Sequence, residues 1–551
     1  MRNSLISFLF VILLLSGYGQ TIKTSDQIRK KSDYVSKVWV ADNGDGTYKN
    51  PILMADYSDL DVCQAENDYY MTASSFNSVP GLPILHSKDL VNWQIIGFAL
   101  KELTPKEVFD KPQHAKGVFA PCIRYNKGEL MIYWGDPDFG IFMVKTKNPK
   151  GDWSVPVLVK EGKGLIDPTP LFDDDGNTYL AHAWAGSRSR INSIITVSKM
   201  NPEGTRVVGP EVMVFDGLLG GHHTVEGPKF YKRNGYYYIL APAGGVTKGW
   251  QLAMRSRNIY GPYEAKVVME QGNTDINGPH QGAWVETKTG ESWFMHFQDR
   301  MAYGRVALLQ PVKWIDGWPV MGTDEDGDGK GNPVSKYKKP DVGKTFPVET
   351  PVESDEFDRP VLGLQWQWQA NPKDLWMMLT NMGFIRLYAV PQPKEFTGFL
   401  DLPNLLLQKF PAEEFTASTK LTWTPKSENE KAGLIIMGYD YSYLTISKSG
   451  DQFKISQVVC KGANRGNPEK EVAQVQVNQN LIFLKVKVEK NALCSFSYSL
   501  NGEAFTAIGE QFAAKQGGWI GAKMGIFSSN SAEKGNLGYA DFDWFRVDNI
   551  N

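Results

Sequence analysis

The 551-residue chain has few cysteines: only Cys63, Cys122, Cys460 and Cys494. None stands in CxxC spacing, which excludes a cysteine-built metal framework. Cys63 and Cys122 fall in apolar strand patterns and read as buried free thiols. Cys460 and Cys494 share one expected domain, and a disulfide between them stays open. Charge of one sign is also lacking. The net charge is −2, with neither a basic stripe nor an acidic tail, so nucleic acid is not an expected partner. Long hydrophobic runs are missing too. Residues 5–15 are apolar but too short to span a bilayer, and no later segment is a better candidate. Arg2 precedes that run and Gly17-Tyr18-Gly19 follows it. This reads as a cleavable export signal over residues 1–19, implying a secreted or periplasmic protein. No Cys follows the run, so a lipid anchor there is not expected.

Helix periodicity is the other absence. Short alternating strands separated by Gly, Asn, Asp and Pro turns fill the sequence, the pattern of an all-β protein. One hairpin recurs five times: around Asn67-Asp68, Lys127-Gly128, Asp175-Gly176, Asn234-Gly235 and Thr289-Gly290. A second motif follows each, as in Ser87-Lys88-Asp89-Leu90-Val91-Asn92-Trp93 and Ser256-Arg257-Asn258-Ile259-Tyr260-Gly261-Pro262. Its last member, Pro311-Val312-Lys313-Trp314, is looser. Five paired motifs at intervals of roughly 50 residues predict a five-bladed β-propeller over residues 34–322.

Composition changes beyond residue 322. Asp324-Glu325-Asp326-Gly327-Asp328-Gly329-Lys330 opens like a calcium loop. It lacks helical flanks and the closing Glu of such loops, and reads as a flexible loop. Residues 323–351, with Pro347 and Pro351, read as a linker. Strands over 415–423, 433–437, 481–488 and 540–547 predict an antiparallel, concanavalin-like β-sandwich for residues 352–551. Asp355, Glu356 and Asp541 lie near its ends and are candidates to share a structural calcium.

The sequence is rich in aromatic residues, with 16 Trp and 23 Tyr. Such rings suit sugar faces, although large all-β cores use them as well. Just upstream of the hairpin turns, at nearly matching distances, stand Asp59, Asp167, Glu226 and His280, with Phe119 in blade two. Inner propeller strands ring one axis, so these positions converge at one mouth. Close carboxylates among apolar neighbours keep at least one of their number protonated. A proton-donating carboxyl opposite a second carboxylate is the minimum equipment for glycoside hydrolysis.

The stretches Ala55-Asp56-Tyr57-Ser58-Asp59-Leu60-Asp61-Val62, Leu165-Ile166-Asp167-Pro168-Thr169-Pro170, Val225-Glu226-Gly227-Pro228-Lys229-Phe230 and Asn277-Gly278-Pro279-His280-Gln281-Gly282 together resemble glycoside hydrolase family 43. The sandwich resembles the C-terminal domain of its xylosidase-like members. The resemblance implies inversion, with Asp59 as general base, Glu226 as general acid and Asp167 as the carboxylate that orients Glu226. Leu60 stands where the family usually has Pro, which leaves Asp56 and Asp61 as alternatives to Asp59; blade register favours Asp59. His280 resembles a histidine beneath the sugar, and Arg305 an arginine that holds sugar hydroxyls. Phe119 and Trp134 are candidate pocket walls. The implied activity is exo-removal of terminal xylose or arabinose from plant polysaccharide, with carbohydrate as the partner and no cofactor required. An endo-arabinanase and a non-catalytic glycan-binding propeller are the alternatives.

Overall fold

Left-handed backbone at the hairpin tips sets the architecture. In a two-residue turn with both φ values positive, the strand twist is matched and the hairpin closes tightly. Lys127 and Gly128 (φ 48° and 82°) do this in one hairpin, Asn234 and Gly235 (50° and 73°) in another. The protein is seen here as a computed structural model that describes residues 34–550. The expected export signal, residues 1–19, lies outside the described residues.

In blades one to four the hairpin begins a four-stranded antiparallel sheet. Blade one comprises Asp61–Ala65, Asp68–Thr72, Gly81–Ser87 and Trp93–Leu100. Blade two runs from Phe119–Asn126 to Val157–Glu161, blade three from Leu165–Phe172 to Val207–Asp216, and blade four from Lys229–Arg233 to Glu264–Met269. The first strand of each is innermost, and neighbouring inner strands pack on one another around the axis. The second sequence motif forms the turn between the third and fourth strands. In blade one the Ser87 hydroxyl accepts the N–H groups of Asp89 and Leu90.

Blade five is built differently. It uses His280–Glu286, Ser292–Asp299 and Arg305–Ile315, and its next strand is Leu53–Asp56 from before blade one. The looser last motif therefore makes no such turn: Pro311 to Trp314 lie within a strand. The ring is closed by joining the beginning of the propeller to its end, and this sets Asp56 beside Val306.

Residues of the expected linker run along the propeller, with Lys336–Lys338 pairing with Thr47–Lys49. The acidic loop folds on itself: Asp324 accepts the N–H groups of Gly327 and Gly329. The sandwich then has two sheets. Phe415–Thr424 and Leu481–Glu489 show why, since every second residue is buried, the pattern of a sheet with one face in a core. That core is continuous with the propeller. Met54, Tyr303, Val306 and Leu308 join the cluster of Trp366, Trp368, Leu406 and Ile526. Val79 and Trp368 exchange backbone hydrogen bonds across the junction. Residues 34–550 belong to one compact unit, and among the described residues no helix is long and apolar enough to cross a membrane.

Two possibilities that the sequence leaves open fall in the sandwich. Cys460 and Cys494 do not pair; they lie in different sheets, and their thiols donate to the carbonyls of Asn467 and Ala492. Asp355, Glu356 and Asp541 are not among the carboxylates that come together among the described residues. Asp355 accepts from the Phe357 N–H and the Trp366 indole, Glu356 pairs with Arg546, and Asp541 pairs with Arg386. Each carboxylate already has its own donors. Cys63 and Cys122 are buried free thiols. All four cysteines should therefore react with a thiol reagent once the chain is denatured without reductant, and resist it when native. A denatured count of two would contradict this arrangement.

Candidate active site

The inner strands of the blades share a backbone device. Asp59, Ala120, Asp167, Gly227 and Gln281 all have left-handed φ, between 36° and 59°, at or just before the inner strand of successive blades. In blades two, three and five the ladder slips at this point, the mark of a bulge. A bulge re-aims side chains. Left-handed backbone costs a non-glycine residue about 1–2 kcal/mol. Four such residues persist because the surroundings hold them.

This register refines the sequence reading. Asp59 and Asp167 occupy the left-handed position itself. Glu226 and His280 stand one residue earlier, before Gly227 and Gln281. Gly227 is required twice over. Its φ is 59°, and a Cβ there would meet Gln281 Cγ at 2.8 Å.

Asp59 is buried and held as an acceptor. Oδ2 takes hydrogen bonds from the Ser58 and Ser74 hydroxyls, each at 2.7 Å, and Oδ1 takes one from Arg305 Nη1 at 2.8 Å. Each carboxylate oxygen can accept two hydrogens, so Oδ1 has a lone pair left. Arg305 also reaches Ser58 Oγ at 2.9 Å.

Asp167 is buried and accepts the Gly227 N–H at 2.7 Å. This bond fixes the peptide that carries Glu226. Burial pushes the Asp167 carboxyl up to about 6; the Gly227 N–H opposes that rise and the Asp59 charge adds to it. Glu226 rises further, to about 8, first through burial and then through the charges of Asp167 and Asp59. Its side chain is still 32% exposed, so it meets the cavity mouth while its neighbours crowd the carboxyl. One carboxyl thus retains its proton near neutral pH beside two other carboxyls.

His280 Nε2 lies 3.5 Å from Glu226 Oε1. Burial, then the Arg305 charge, pushes the imidazole down to about 3, so the ring is neutral and the contact is not an ion pair. Neither ring nitrogen has a protein partner, which is costly for buried polar atoms and leaves both available to a ligand or water.

Phe119 is half-buried and packs edge-on against Phe76 at 4.9 Å. Trp134 does not stand open as a sugar-facing wall. It is 4% exposed, stacks on Phe142, its partner in the ladder, and belongs to the apolar core of blade two with Ile123, Ile132 and Val144. Asp61, one alternative to Asp59, is fully buried and bound to Arg124. Asp56, the other, accepts two backbone N–H groups. Among the described residues, Asp324, Asp326 and Asp328 bring their carboxylates within 4.8 Å of one another, but Lys330 lies 3.0 Å from Asp328.

One residue that sequence reasoning missed is Trp519. It comes from the sandwich, is 53% exposed, and its ring centroid lies 5.7 Å from the Arg305 guanidinium carbon. The available signal was a lone tryptophan between glycines, Gly517-Gly518-Trp519-Ile520-Gly521, where the strand pattern is interrupted.

The model of glycosyl hydrolases family 43 matches residues 48–319, and that of the beta-xylosidase C-terminal Concanavalin A-like domain matches residues 354–548. A beta-xylosidase of Formosa agariphila is 32% identical over 92% of this chain and 91% of its own length.

The chain belongs to glycosyl hydrolase family 43.

It is accordingly an O-glycosyl hydrolase. A non-reducing end alpha-L-arabinofuranosidase of Bacteroides ovatus is 30% identical over 91% of this chain and 94% of its own. The solved GH43 protein BlXynB of Bacillus licheniformis superposes with a TM-score of 0.79, covering 92% of this chain and 100% of its own, at 28% identity. The family 43 fold thus spans both halves.

The raised Glu226 carboxyl has a consequence for stability. Its folded pKa of about 8 lies above the ordinary 4.5. Its stabilising effect is complete below the ordinary value and is lost as pH rises through the folded one. Glu226→Gln removes that loss. The variant should gain stability relative to wild type between about pH 5 and about pH 9, read by urea denaturation. An offset that stays constant across that range would contradict the assignment.

Proposed function

We propose that the protein is an inverting exo-glycosidase that removes terminal xylose or arabinose units from plant cell-wall polysaccharide or its fragments. The observation that carries this reading is the division of labour among the three carboxyls. Asp167 accepts the N–H next to Glu226, Glu226 is pushed up, and Asp59 is gripped by Arg305 and two hydroxyls.

In this reading Glu226 Oε–H donates its proton to the glycosidic oxygen as that bond breaks. Asp59 Oδ1 takes a proton from a water that attacks the anomeric carbon from the opposite face. The sugar is released with inverted configuration. Inversion needs the acid and base about 6.5–9.5 Å apart to admit that water. Asp167 holds Glu226 in place and keeps its proton on. His280 and Arg305 face the sugar, with Phe119 as a wall. No cofactor is required, since proton donor and acceptor are both side chains of this chain.

Exo action is supported by Trp519, an aromatic ring brought to Arg305 by the second domain. An endo-acting enzyme needs a groove open at both ends. Pentose specificity is supported by the relatives, named as a beta-xylosidase and a non-reducing end alpha-L-arabinofuranosidase. Residues 1–19 fit export toward such a polymer.

A screen of xylo-oligosaccharides, arabinan and nitrophenyl pentosides, with NMR of the first-formed anomer, tests this. Single pentoses of inverted configuration are expected. Glu226→Gln should lose about 10²–10⁴-fold in kcat on xylobiose or its arabinose counterpart. The loss should be smaller on nitrophenyl glycosides, whose leaving group needs no proton, while Asp59→Asn should impair both equally. Retained configuration, internal cleavage of arabinan, or full activity in Glu226→Gln would overturn the reading; binding without turnover would make the propeller a lectin.

A further inference from the structure

Asp56 lies in the strand that closes the propeller, three residues before Asp59, and is 3% exposed. Its two oxygens serve two domains. Oδ1 accepts the backbone N–H of Arg305 at 2.9 Å, and Oδ2 accepts the backbone N–H of Gly521 at 2.9 Å. We propose that Asp56 is a positioning residue that couples the sandwich loop bearing Trp519 to Arg305, and through Arg305 to Asp59. The role in catalysis rests on the reading of the site given above; the coupling itself does not.

Three features support it. First, Arg305 is clamped through its backbone on both sides, because its carbonyl accepts the Tyr57 N–H at 2.9 Å. The guanidinium is then aimed from a fixed origin at Asp59. Second, the sandwich loop comes as near as backbone allows. A Cβ on Gly521 would stand 2.7 Å from the Gly304 nitrogen, and one on Gly304 would stand 2.5 Å from Asp56 itself. Third, Trp519 is held with φ at 65°, a conformation that costs a bulky residue about 1–2 kcal/mol and lasts only where its surroundings enforce it. The Gly521–Asp56 bond is an anchor two residues away.

A lysine pair also depends on Asp56. Lys409 and Lys523 face each other on paired strands at this junction, and Lys523 donates to Ser78 Oγ at 2.6 Å. Burial pushes both ammonium groups down, and the Asp56 charge opposes that shift in each. Asp56 is therefore the carboxylate that balances the buried lysine pair, and an amide in its place would lose both this balance and one of the two accepted bonds.

The test uses the full chain with Asp56→Asn, Trp519→Ala and the double variant, assayed on nitrophenyl β-D-xyloside and nitrophenyl α-L-arabinofuranoside below the unfolding range of all four proteins. Each single change is expected to lower kcat/KM about tenfold or more, and the double variant to fall less than about twofold below the worse single. Additive losses would overturn the coupling, because a merely structural Asp56 has no reason to share its effect with Trp519. Hydrogen exchange gives a readout free of activity. Asp56→Asn should speed exchange in 517–522 and in 303–306 together, and unchanged exchange in either segment would overturn the proposal. If Asp56→Asn does not fold, Gly521→Ala perturbs the same contact from the sandwich side and must produce the same paired response. A wild-type protein that cleaves neither glycoside would defeat the functional reading, and the exchange result would still decide the coupling.

Discussion

Three carboxyl groups act on one another beside a single arginine, two of them buried and the third partly so, and like charges placed in this way cannot all ionise cheaply. The site resolves this conflict by position. Arg305 and two serine hydroxyls face Asp59, one backbone N–H faces Asp167, and Glu226 receives no donor of comparable strength. The least-supported carboxyl is the one left protonated. The alternative, three equally solvated acids, would leave no proton donor near neutral pH.

The fold meets this demand through its backbone. Each blade starts its inner strand with a left-handed residue, which turns the side chain at or next to it toward the axis. Where two blades carry an acid at that position and a third carries one just before it, the acids meet. Closure of the ring by Leu53–Asp56 adds the arginine, because it sets the end of blade five beside the stretch that holds Asp59. The same closure brings in Asp56, on which the second domain rests a loop. Chemistry and ring closure are thus one event in this chain, and the sandwich shares a hydrophobic core with the blade that completes it.

Much of this was legible in the residues. Recurring polar turns, four of the five ending in Gly, marked the hairpins, and in two of them, Lys127-Gly128 and Asn234-Gly235, both residues have positive φ. Strict alternation marked the sandwich strands Phe415–Thr424 and Leu481–Glu489. Blade register singled out Asp59, Asp167, Glu226 and His280, and the family resemblance added Arg305; the structure sets Arg305 on Asp59, His280 beside Glu226, and Asp167 on the peptide that follows Glu226. Other features were not legible, for physical reasons. Trp134 has the residue type of a sugar platform, but one step along a strand reverses the face, and its face is the core. Glu226 and His280 stand one residue before the left-handed positions Gly227 and Gln281, and counting back from the turns does not show which residue takes the positive φ. Cys460 and Cys494 were close enough in sequence to pair, yet sheet assignment separates them. Trp519 reaches the mouth through a domain contact, and no periodicity within one domain encodes such a contact.

The central claim is that the charge of Asp167, added to burial, keeps the proton on Glu226. The pH dependence of kcat/KM for wild type and Asp167→Asn tests it directly, since asparagine tolerates the left-handed backbone at that position and its carbonyl oxygen can still accept the Gly227 N–H. The account predicts an alkaline limb near the raised Glu226 value of about 8 in wild type, and its displacement by about one pH unit toward acid in the variant. An alkaline limb that stays in place when the Asp167 charge is removed would contradict it.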